Sequence, residues 1–197
     1  MTAVIQKRLS VEEYLKREIE KSSDEQKSEF FDGKIIDMPL VSAPHDIIVT
    51  NIITQFCVKL KTKGFRTFTG DVRVKLNKTR YAYPDVTLVK KPPVFAEDEF
   101  YNLTNPLMIV EVLSKSTESK DRGYKFRAYC EIESLKEYLI IAQDKCSVES
   151  FYRNDKGEWI VGKSHTSLSE IYQFQSIDFA LSLEEIYEDV VLERDSE

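Results

Sequence analysis

The chain contains the segment Leu107-Met108-Ile109-Val110-Glu111-Val112-Leu113, in which six apolar residues surround a single carboxylate. A continuous apolar run of this kind predicts a strand that is buried on both faces and lies near the centre of a sheet. Inside such a sheet no water solvates the Glu111 side chain, and an isolated charge there would cost several kcal/mol. The segment therefore predicts a paired carboxylate, a carboxyl kept neutral, or a site that binds a cation.

A second carboxylate lies upstream, in the segment Tyr83-Pro84-Asp85-Val86-Thr87-Leu88-Val89. This segment predicts another strand, with Pro84 at its start, where a ladder amide is dispensable. If the two strands are neighbours in the sheet, Asp85 and Glu111 converge on one point. Two carboxylates, a backbone carbonyl and waters suit Mg²⁺, which takes oxygen ligands and keeps much of its hydration. By itself Pro-Asp commonly marks a turn, so the hypothesis of a metal site depends on both acids.

A basic helix is predicted after the Glu111 strand, over residues 119–131. On that helix Arg122, Lys125 and Tyr129 are three and four residues apart and share a face. The connection is a short Ser/Thr loop, so the helix can fold back over the end of the strand. This arrangement would bring a guanidinium, an ammonium and a phenol to the proposed metal site. The alternative is a solvated basic face.

The remaining segments predict a mixed α/β (α+β) fold. Capping boxes predict helix starts at Ser10 and Ser182, and Asp32-Gly33 predicts a hairpin. A helix that begins at Pro44 and ends at Gly64 carries an apolar stripe with a spacing of four residues. The stripe comprises Ile48, Ile52, Phe56 and Leu60. Further strands are predicted at 65–68, 72–76 and 137–142, and in a hairpin of 147–153 with 158–162. Because the sequence has no repeat or linker, we expect one domain over residues 1–197.

The composition limits the classes of protein that the chain can represent. A net charge of −6 argues against a protein that coats duplex DNA through a broad basic face, although an active site needs only a local basic rim. No apolar run approaches the roughly 20 residues that span a bilayer, and the N-terminus has no secretory pattern. Cys57, Cys130 and Cys146 are odd in number and lack CxxC spacing. We therefore expect reduced thiols in a cytoplasmic protein that does not associate with membranes.

Taken together, these motifs resemble the PD-(D/E)XK nuclease superfamily. Its pattern is Asp, then a second acid that is followed two positions later by Lys. Pro84-Asp85 and Glu111 match the two acids, whereas Leu113 occupies the Lys position. Over nearly the whole chain the combination of motifs is similar to the Uma-two-like restriction endonuclease family. The segments that carry this similarity are 83–86, 109–114, 121–126 with Tyr129, and 137–138.

The resemblance implies both a fold and an activity. The implied fold is restriction-endonuclease-like, with a mixed central sheet flanked by helices and with additional antiparallel hairpins. The implied activity is that of an Mg²⁺-dependent endonuclease that hydrolyses DNA, with Mn²⁺ able to substitute. The family resemblance also implies a homodimer, because nucleases that cut both strands often pair two active sites.

The resemblance also assigns roles to residues of this chain. The implied catalytic residues are Asp85, Glu111, Lys125 and Glu29. Asp85 and Glu111 are expected to bind the metal, and Lys125 to act in place of the Lys that the pattern has two positions after the second acid. Glu29 matches a recurrent acid of the family. Arg122 and Tyr129 are expected to bind the substrate or to support Lys125.

Other functions stay open on the sequence alone. The displaced Lys favours a catalytically inactive nuclease fold that binds nucleic acid or a protein, and a phosphodiesterase for RNA or a nucleotide is not distinguished from a DNA enzyme. Basic residues that could contact phosphates form two groups. They are Lys59, Lys61, Lys63 and Arg66 in the first group, and Arg73, Lys75, Lys78 and Arg80 in the second. His45 could approach the site or merely help to cap its helix. Asp71 resembles another recurrent family acid but could be an ordinary surface residue.

Overall fold

The computed structural model describes residues 8–22, 25–97, 100–114 and 121–192, and of residues 121 and 122 only the backbone. The helices are α1 (Val11–Glu20), α2 (Ala43–Leu60), α3 (Phe126–Cys130) and α4 (Leu183–Ile186). A 3-10 turn (Lys61–Lys63) follows α2, and a π-helical turn (Asp121–Lys125) precedes α3. The strands are β1 (Ser28–Phe31), β2 (Lys34–Asp37), β3 (Phe65–Thr69), β4 (Val74–Lys75), β5 (Arg80–Ala82), β6 (Val86–Lys90), β7 (Met108–Leu113), β8 (Glu137–Ala142), β9 (Val148–Arg153), β10 (Trp159–Val161), β11 (Ile171–Gln173) and β12 (Ala180–Ser182).

The main sheet has six strands in the order β10-β9-β8-β7-β6-β3. Strands β7 and β8 run parallel, and the other neighbours in this sheet are antiparallel. A smaller sheet has the order β2-β1-β5-β4, and β11 pairs with β12. Every residue of β7 is buried, which confirms the central strand that the apolar run predicts. The fold is thus a mixed central sheet with helices and antiparallel hairpins, as expected from the sequence.

Helix α2 covers one face of the main sheet. The four stripe residues, spaced by four as predicted, are each no more than 1% exposed. They pack in one cluster with Val110 and Val112 of β7. Fully burying an aliphatic or phenylalanine side chain contributes roughly 1.5–3 kcal/mol, so this face is a principal source of stability. Gly64 follows the 3-10 turn with φ of 90°, a left-handed conformation that glycine adopts without a steric penalty.

The opposite face of the main sheet is covered by α3 and by β1. Ile109 and Leu113 of β7 belong to a cluster that includes Phe31, Ala128 and Tyr129. Because side chains alternate between the two faces of a strand, Glu111 lies on the same face as Ile109 and Leu113. The parallel pairing of β7 with β8 requires a crossover connection, and α3 belongs to it. The crossover therefore brings the basic segment over the carboxylate.

The local signals at helix and hairpin ends are confirmed. The Ser10 amide donates to Glu13 Oε2 at 2.7 Å and the Glu13 amide donates to Ser10 Oγ at 3.1 Å, which completes the capping box of α1. Ser182 forms the corresponding box at α4. Asp32 and Gly33 have φ values of 51° and 89° between β1 and β2. Two positive φ angles in a two-residue loop are those of the tight hairpin turn that Asp-Gly predicts.

Two predicted strands differ from the structure, and one hairpin of the structure was not predicted. The strand predicted over 83–89 begins only at Val86, so Asp85 lies in the connection between β5 and β6. The strand predicted over 72–76 is reduced to β4, and Arg73 is buried at 7% exposure although its position predicted a solvated face. Its guanidinium donates to Asn102 Oδ1 at 2.5 Å and to the Tyr83 hydroxyl at 3.2 Å, so polar partners replace water. The hairpin of β11 and β12 was not predicted, because Tyr172 is the one buried residue of the three in β11 and leaves little apolar pattern.

The helix predicted over 119–131 is described from residue 121 onward. There the backbone forms the π-helical turn and then α3, which ends at Cys130. Within the described ranges, none of the helices combines the length and the apolar character that a membrane crossing needs.

Candidate active site

Asp85 and Glu111 meet at the edge of the ladder between β6 and β7. The antiparallel register pairs Val86 with Val110, so the next pair outward is Asp85 and Glu111. Asp85 is also hydrogen-bonded to β7 next to Glu111, because its Oδ2 accepts a hydrogen bond of 2.7 Å from the amide of Val112. The structure therefore brings together the two acids that the sequence selects, although Asp85 itself lies just outside a strand.

Lys125 lies between two carboxylates from different sheets. Its Nζ is 3.0 Å from Glu29 Oε1 and 3.1 Å from Glu111 Oε1. The side chains of Lys125, Glu29 and Glu111 are 11%, 6% and 4% exposed, so the three charges are shielded from solvent. Glu29 belongs to β1 of the smaller sheet, and its Oε1 also accepts from the Tyr83 amide at 3.3 Å. The ammonium thus links the two sheets at one point.

Tyr129 contacts the same oxygen of Glu111 as Lys125 does. The Tyr129 hydroxyl donates to Glu111 Oε1 at 2.5 Å, and the tyrosine side chain is fully buried. Burial raises the pKa of Tyr129 well above its usual value, and the negative charge of Glu111 raises it further. The phenol consequently stays protonated and acts as a donor. One turn of helix separates Lys125 from Tyr129, as their spacing predicts.

His45 is a site neighbour whose role the sequence left open. Its Nε2 lies 3.2 Å from Asp85 Oδ2, and the two side chains are only 14% and 16% exposed. The backbone of His45 also takes part in the start of α2, since its amide donates to Ser42 Oγ at 3.4 Å. Both readings of the sequence therefore hold at once: the backbone is capped and the ring reaches the acid. The only sign of this contact in the sequence was a histidine in the first turn of a helix with a strong apolar stripe.

One cavity of about 140 Å³ is lined by Glu29, His45, Asp85, Glu111 and Lys125. Residues 38–42, between β2 and α2, form one side of it, and Gln143 lies beside them. This segment is apolar and strongly exposed, with Leu40 at 92% and Val41 at 62%. Ser42 Oγ donates to Gln143 Oε1 at 2.8 Å and so ties the segment to the end of β8. A charged interior beside an apolar rim suits a ligand that has both an ionic group and flat apolar surface.

The donor set suits Mg²⁺ better than it suits a metal that is bound by protein ligands alone. The cavity is lined by three carboxylates, of Glu29, Asp85 and Glu111, and by one ammonium, which leaves an excess of two negative charges among these four groups when all are ionised. Asp85 accepts both of its hydrogen bonds at Oδ2, so Oδ1 has no partner among the described residues. Within those residues no group of three or more His, Cys, Asp and Glu side chains is arranged to hold a metal. Mg²⁺ needs no such group, because it is commonly bound by one or two carboxylates and several waters.

Several other residues that the sequence selected do not line the cavity or are not described. The side chain of Arg122, a predicted substrate contact, lies outside what the structure describes. Asp71 is exposed and forms an ion pair with Lys27, which lowers the pKa of that carboxyl through its hydrogen bond. Arg80 forms ion pairs with Asp32 and Glu131, both at 2.8 Å or less. Arg73 is buried, and the charge of the partly exposed Arg80 is paired, so neither member of the second basic group is a free cation at the surface.

The first basic group is more exposed. Lys61, Lys63 and Arg66 are open to solvent at the end of α2 and in β3. Lys59 is paired with Glu185 at 2.9 Å. Exposed basic residues are thus present near one edge of the main sheet.

Comparison with known proteins now gives the family. Residues 11–184 match the model of the Uma2 family, which is described as "Putative restriction endonuclease". The chain belongs to this family. Two relatives are uncharacterized proteins of Synechocystis sp. (strain ATCC 27184 / PCC 6803 / Kazusa). One is 32% identical over 181 residues, which cover 91% of this chain and 92% of the relative. The other is 31% identical over 179 residues, which cover 90% and 99%.

A solved structure supports the fold of this Uma2 protein. The crystal structure of "a putative nuclease belonging to DUF820" from Anabaena variabilis ATCC 29413 aligns with a TM-score of 0.72. The alignment covers 93% of this chain and 99% of that chain at 17% identity. An identity this low shows that the fold is shared. The family is a nuclease family by description, and the similarity that the sequence motifs indicated is confirmed.

Proposed function

We propose that this Uma2 protein is an Mg²⁺-dependent endonuclease that hydrolyses phosphodiester bonds in DNA. The observation that carries the proposal is the meeting of Asp85, Glu111 and Glu29 with Lys125 in one shielded cavity. Burying this many charges is costly for a scaffold. Strongly shielded charge clusters in a cleft are typical of functional sites.

Asp85 and Glu111 would hold the metal through their carboxylate oxygens. When bound, Mg²⁺ supplies a Lewis acid for a phosphate oxygen and favours deprotonation of a coordinated water. The Lys125 ammonium is in position to orient the attacking water or to stabilise negative charge on the phosphate. Glu29 shares that ammonium with Glu111 and could accept the proton of the water.

The mechanism is an ordinary hydrolysis. A bond forms between the oxygen of water and phosphorus, the bond from phosphorus to the leaving ester oxygen breaks, and that oxygen takes up a proton. Tyr129 does not reach solvent, so its role would be to fix the orientation of Glu111 through the 2.5 Å hydrogen bond. Tyr129 would therefore act through the carboxylate, whereas the resemblance implied contact with the substrate or support of Lys125.

DNA is the favoured substrate because the family description is that of a restriction endonuclease. The cavity adds physical support, since its excess of negative charge suits a divalent cation that would bind a phosphate, and the exposed apolar segment 38–42 suits a sugar or base. We also propose a homodimer, because cutting both strands calls for two active sites, and a cytoplasmic location, where the three free cysteines would stay reduced. Sedimentation analysis would test the dimer.

A nicking assay tests the activity. Supercoiled plasmid would be incubated with the purified protein and Mg²⁺ or Mn²⁺, and nicked and linear products measured over time. The Asp85→Asn variant keeps the size of the side chain but loses the charge, and we expect cleavage to fall by about 10²-fold or more. The matched control is Asp71→Asn, an acid that lies outside the cavity and is paired at the surface. It should cleave like the wild type.

The outcomes separate enzyme from contaminant. Equal cleavage by the wild type and both variants would mean that a contaminating nuclease is responsible. Loss of cleavage in both variants would remove the assignment to Asp85.

A second candidate is a catalytically inactive module that binds nucleic acid or a protein partner. Its supporting observation is Leu113 at the usual Lys position, with Lys125 already engaged by two carboxylates. Calorimetry with Mg²⁺ distinguishes the two candidates. Absence of binding near millimolar concentration, together with absence of cleavage, would favour the inactive module.

A further inference from the structure

We infer that His45 is a positioning residue that fixes the orientation of the Asp85 carboxylate, so that one carboxylate oxygen is held by protein donors and the other is kept for a ligand. This inference rests on the proposed function of the site.

The placement of the ring follows from the start of α2. Ser42 is the N-cap, and its hydroxyl accepts from the amide of His45. The same hydroxyl donates to Gln143 at the end of β8. Helix α2 is in turn anchored over the main sheet by its buried stripe. The backbone at His45 is therefore fixed on two sides, and the ring can hold its neighbour in one place.

The surroundings of the ring select its tautomer. An ionised carboxylate only accepts hydrogen bonds, so the 3.2 Å contact with Asp85 Oδ2 requires the proton on Nε2. Nδ1 is buried and has no hydrogen-bond partner among the described residues. In the other neutral tautomer, a lone pair would face the carboxylate and an N–H would be buried without an acceptor. Such an orphaned donor costs about 1–3 kcal/mol. The structure therefore favours the Nε2–H tautomer.

The hydrogen bonds of Asp85 are unevenly distributed. The ring N–H of His45 and the amide of Val112 both donate to Oδ2. Two donors from separate elements, α2 and β7, fix both the position and the rotation of the carboxylate. Oδ1 is then the oxygen that remains for a cation or for water on a cation. Since Val112 directly follows Glu111, the arrangement also sets the distance between the two acids.

Losing the ring should weaken the site without abolishing it. Residues that hold a metal ligand by a hydrogen bond typically contribute about 10- to 100-fold to metal affinity or activity. With His45→Ala, Val112 alone would hold the carboxylate, and its rotation would be less restricted. We expect the Kd for Mn²⁺ to rise by about 10- to 100-fold. His45→Gln retains an N–H donor at a similar distance from the backbone and should restore affinity to within a few-fold of the wild type.

The experiment is a calorimetric titration of the full chain with Mn²⁺, with thermal unfolding of each variant as a check on folding. The matched control is His165→Gln, the other histidine of the chain, which pairs with the start of β9, contacts Glu170 and does not line the cavity. It should bind Mn²⁺ like the wild type. Unchanged affinity in His45→Ala would overturn the inference, as would a failure of His45→Gln to recover affinity while remaining folded.

A second readout keeps the inference separate from the proposed function. The ring nitrogens of His45 can be observed by ¹⁵N NMR in the wild-type protein without metal. The Nε2–H tautomer is expected, and an Nδ1–H tautomer would overturn the inference whether or not the protein cleaves DNA. If the wild type binds no Mn²⁺, the proposed metal site fails. The tautomer then decides by itself whether His45 holds Asp85.

Discussion

Removal of the Lys125 ammonium should destabilise the protein strongly. In Lys125→Met the methylene chain is largely retained, but two buried carboxylates lose a cation that lies 3.0 Å from Glu29 and 3.1 Å from Glu111. Removing one partner from a buried ion pair typically costs about 3–5 kcal/mol, because the remaining charge stays buried. The total stability of a domain is only about 5–15 kcal/mol. One substitution would thus remove a large part of it.

Urea unfolding at pH 7, followed by circular dichroism, measures this change in the free energy of unfolding. In a chain of this size about 1 kcal/mol corresponds to roughly 2–4 °C, so the midpoint of thermal unfolding should fall by about 6–20 °C. The control is Lys16→Met, which removes an ammonium paired with Glu12 at 2.9 Å but 61% exposed. That variant should have the same free energy of unfolding as the wild type, since exposed ion pairs contribute little.

A double substitution identifies the cause. Adding Glu29→Gln to Lys125→Met replaces a buried charge with a neutral amide and should recover part of the lost stability. A decrease below about 1 kcal/mol in Lys125→Met would refute the reasoning, because it would mean that the ammonium is not the partner that compensates the two carboxylates. Destabilisation that Glu29→Gln makes worse would point to lost packing instead.

Three further outcomes are expected. Tyr129→Phe should lower the free energy of unfolding by about 1.5–3 kcal/mol in urea titrations, because the hydroxyl donates to the charged Glu111; unchanged stability would contradict that bond. Glu137→Gln should lower the free energy of unfolding by about 1–3 kcal/mol in the same assay, since four donors surround this fully buried carboxylate. Unchanged stability would mean that these hydrogen bonds do not stabilise the fold. Glu170 has its pKa lowered to about 2 by Lys163 and two backbone amides, so it stabilises the fold above the usual pKa and this contribution is lost as the pH falls towards 2. An NMR titration midpoint near 4.5 would contradict this shift.

The sequence determined the elements whose signals are local. A capping box needs only residues three positions apart, so Ser10 predicted the start of α1. A two-residue turn needs only Asp32-Gly33, and the stripe of α2 needs only a period of four. The apolar run around Glu111 likewise predicted a central strand, because a strand buried on both faces cannot tolerate regular polar positions. These features follow from interactions within one segment.

The site was predictable in part for the same reason. Asp85, Glu111, Lys125 and Glu29 were selected from motifs, and the structure brings all four to one cavity. The motifs could not show which groups are paired. The Lys125 ammonium contacts Glu29, for example, which lies 96 positions earlier in the chain. The burial of Arg73 was missed because its partners come from other segments.

Only the tertiary structure decided which donors reach which oxygen. His45 is 40 positions from Asp85 in sequence, and no spacing rule joins a helix start to a strand end. That contact depends on how α2 is seated on the main sheet, which in turn depends on the packing of many side chains at once. Local propensities act over a few residues and carry about 1 kcal/mol or less each, whereas the meeting of distant groups is set by the burial of the whole core. The chain therefore specifies its charged residues segment by segment, and the packed sheet specifies that they share one cavity.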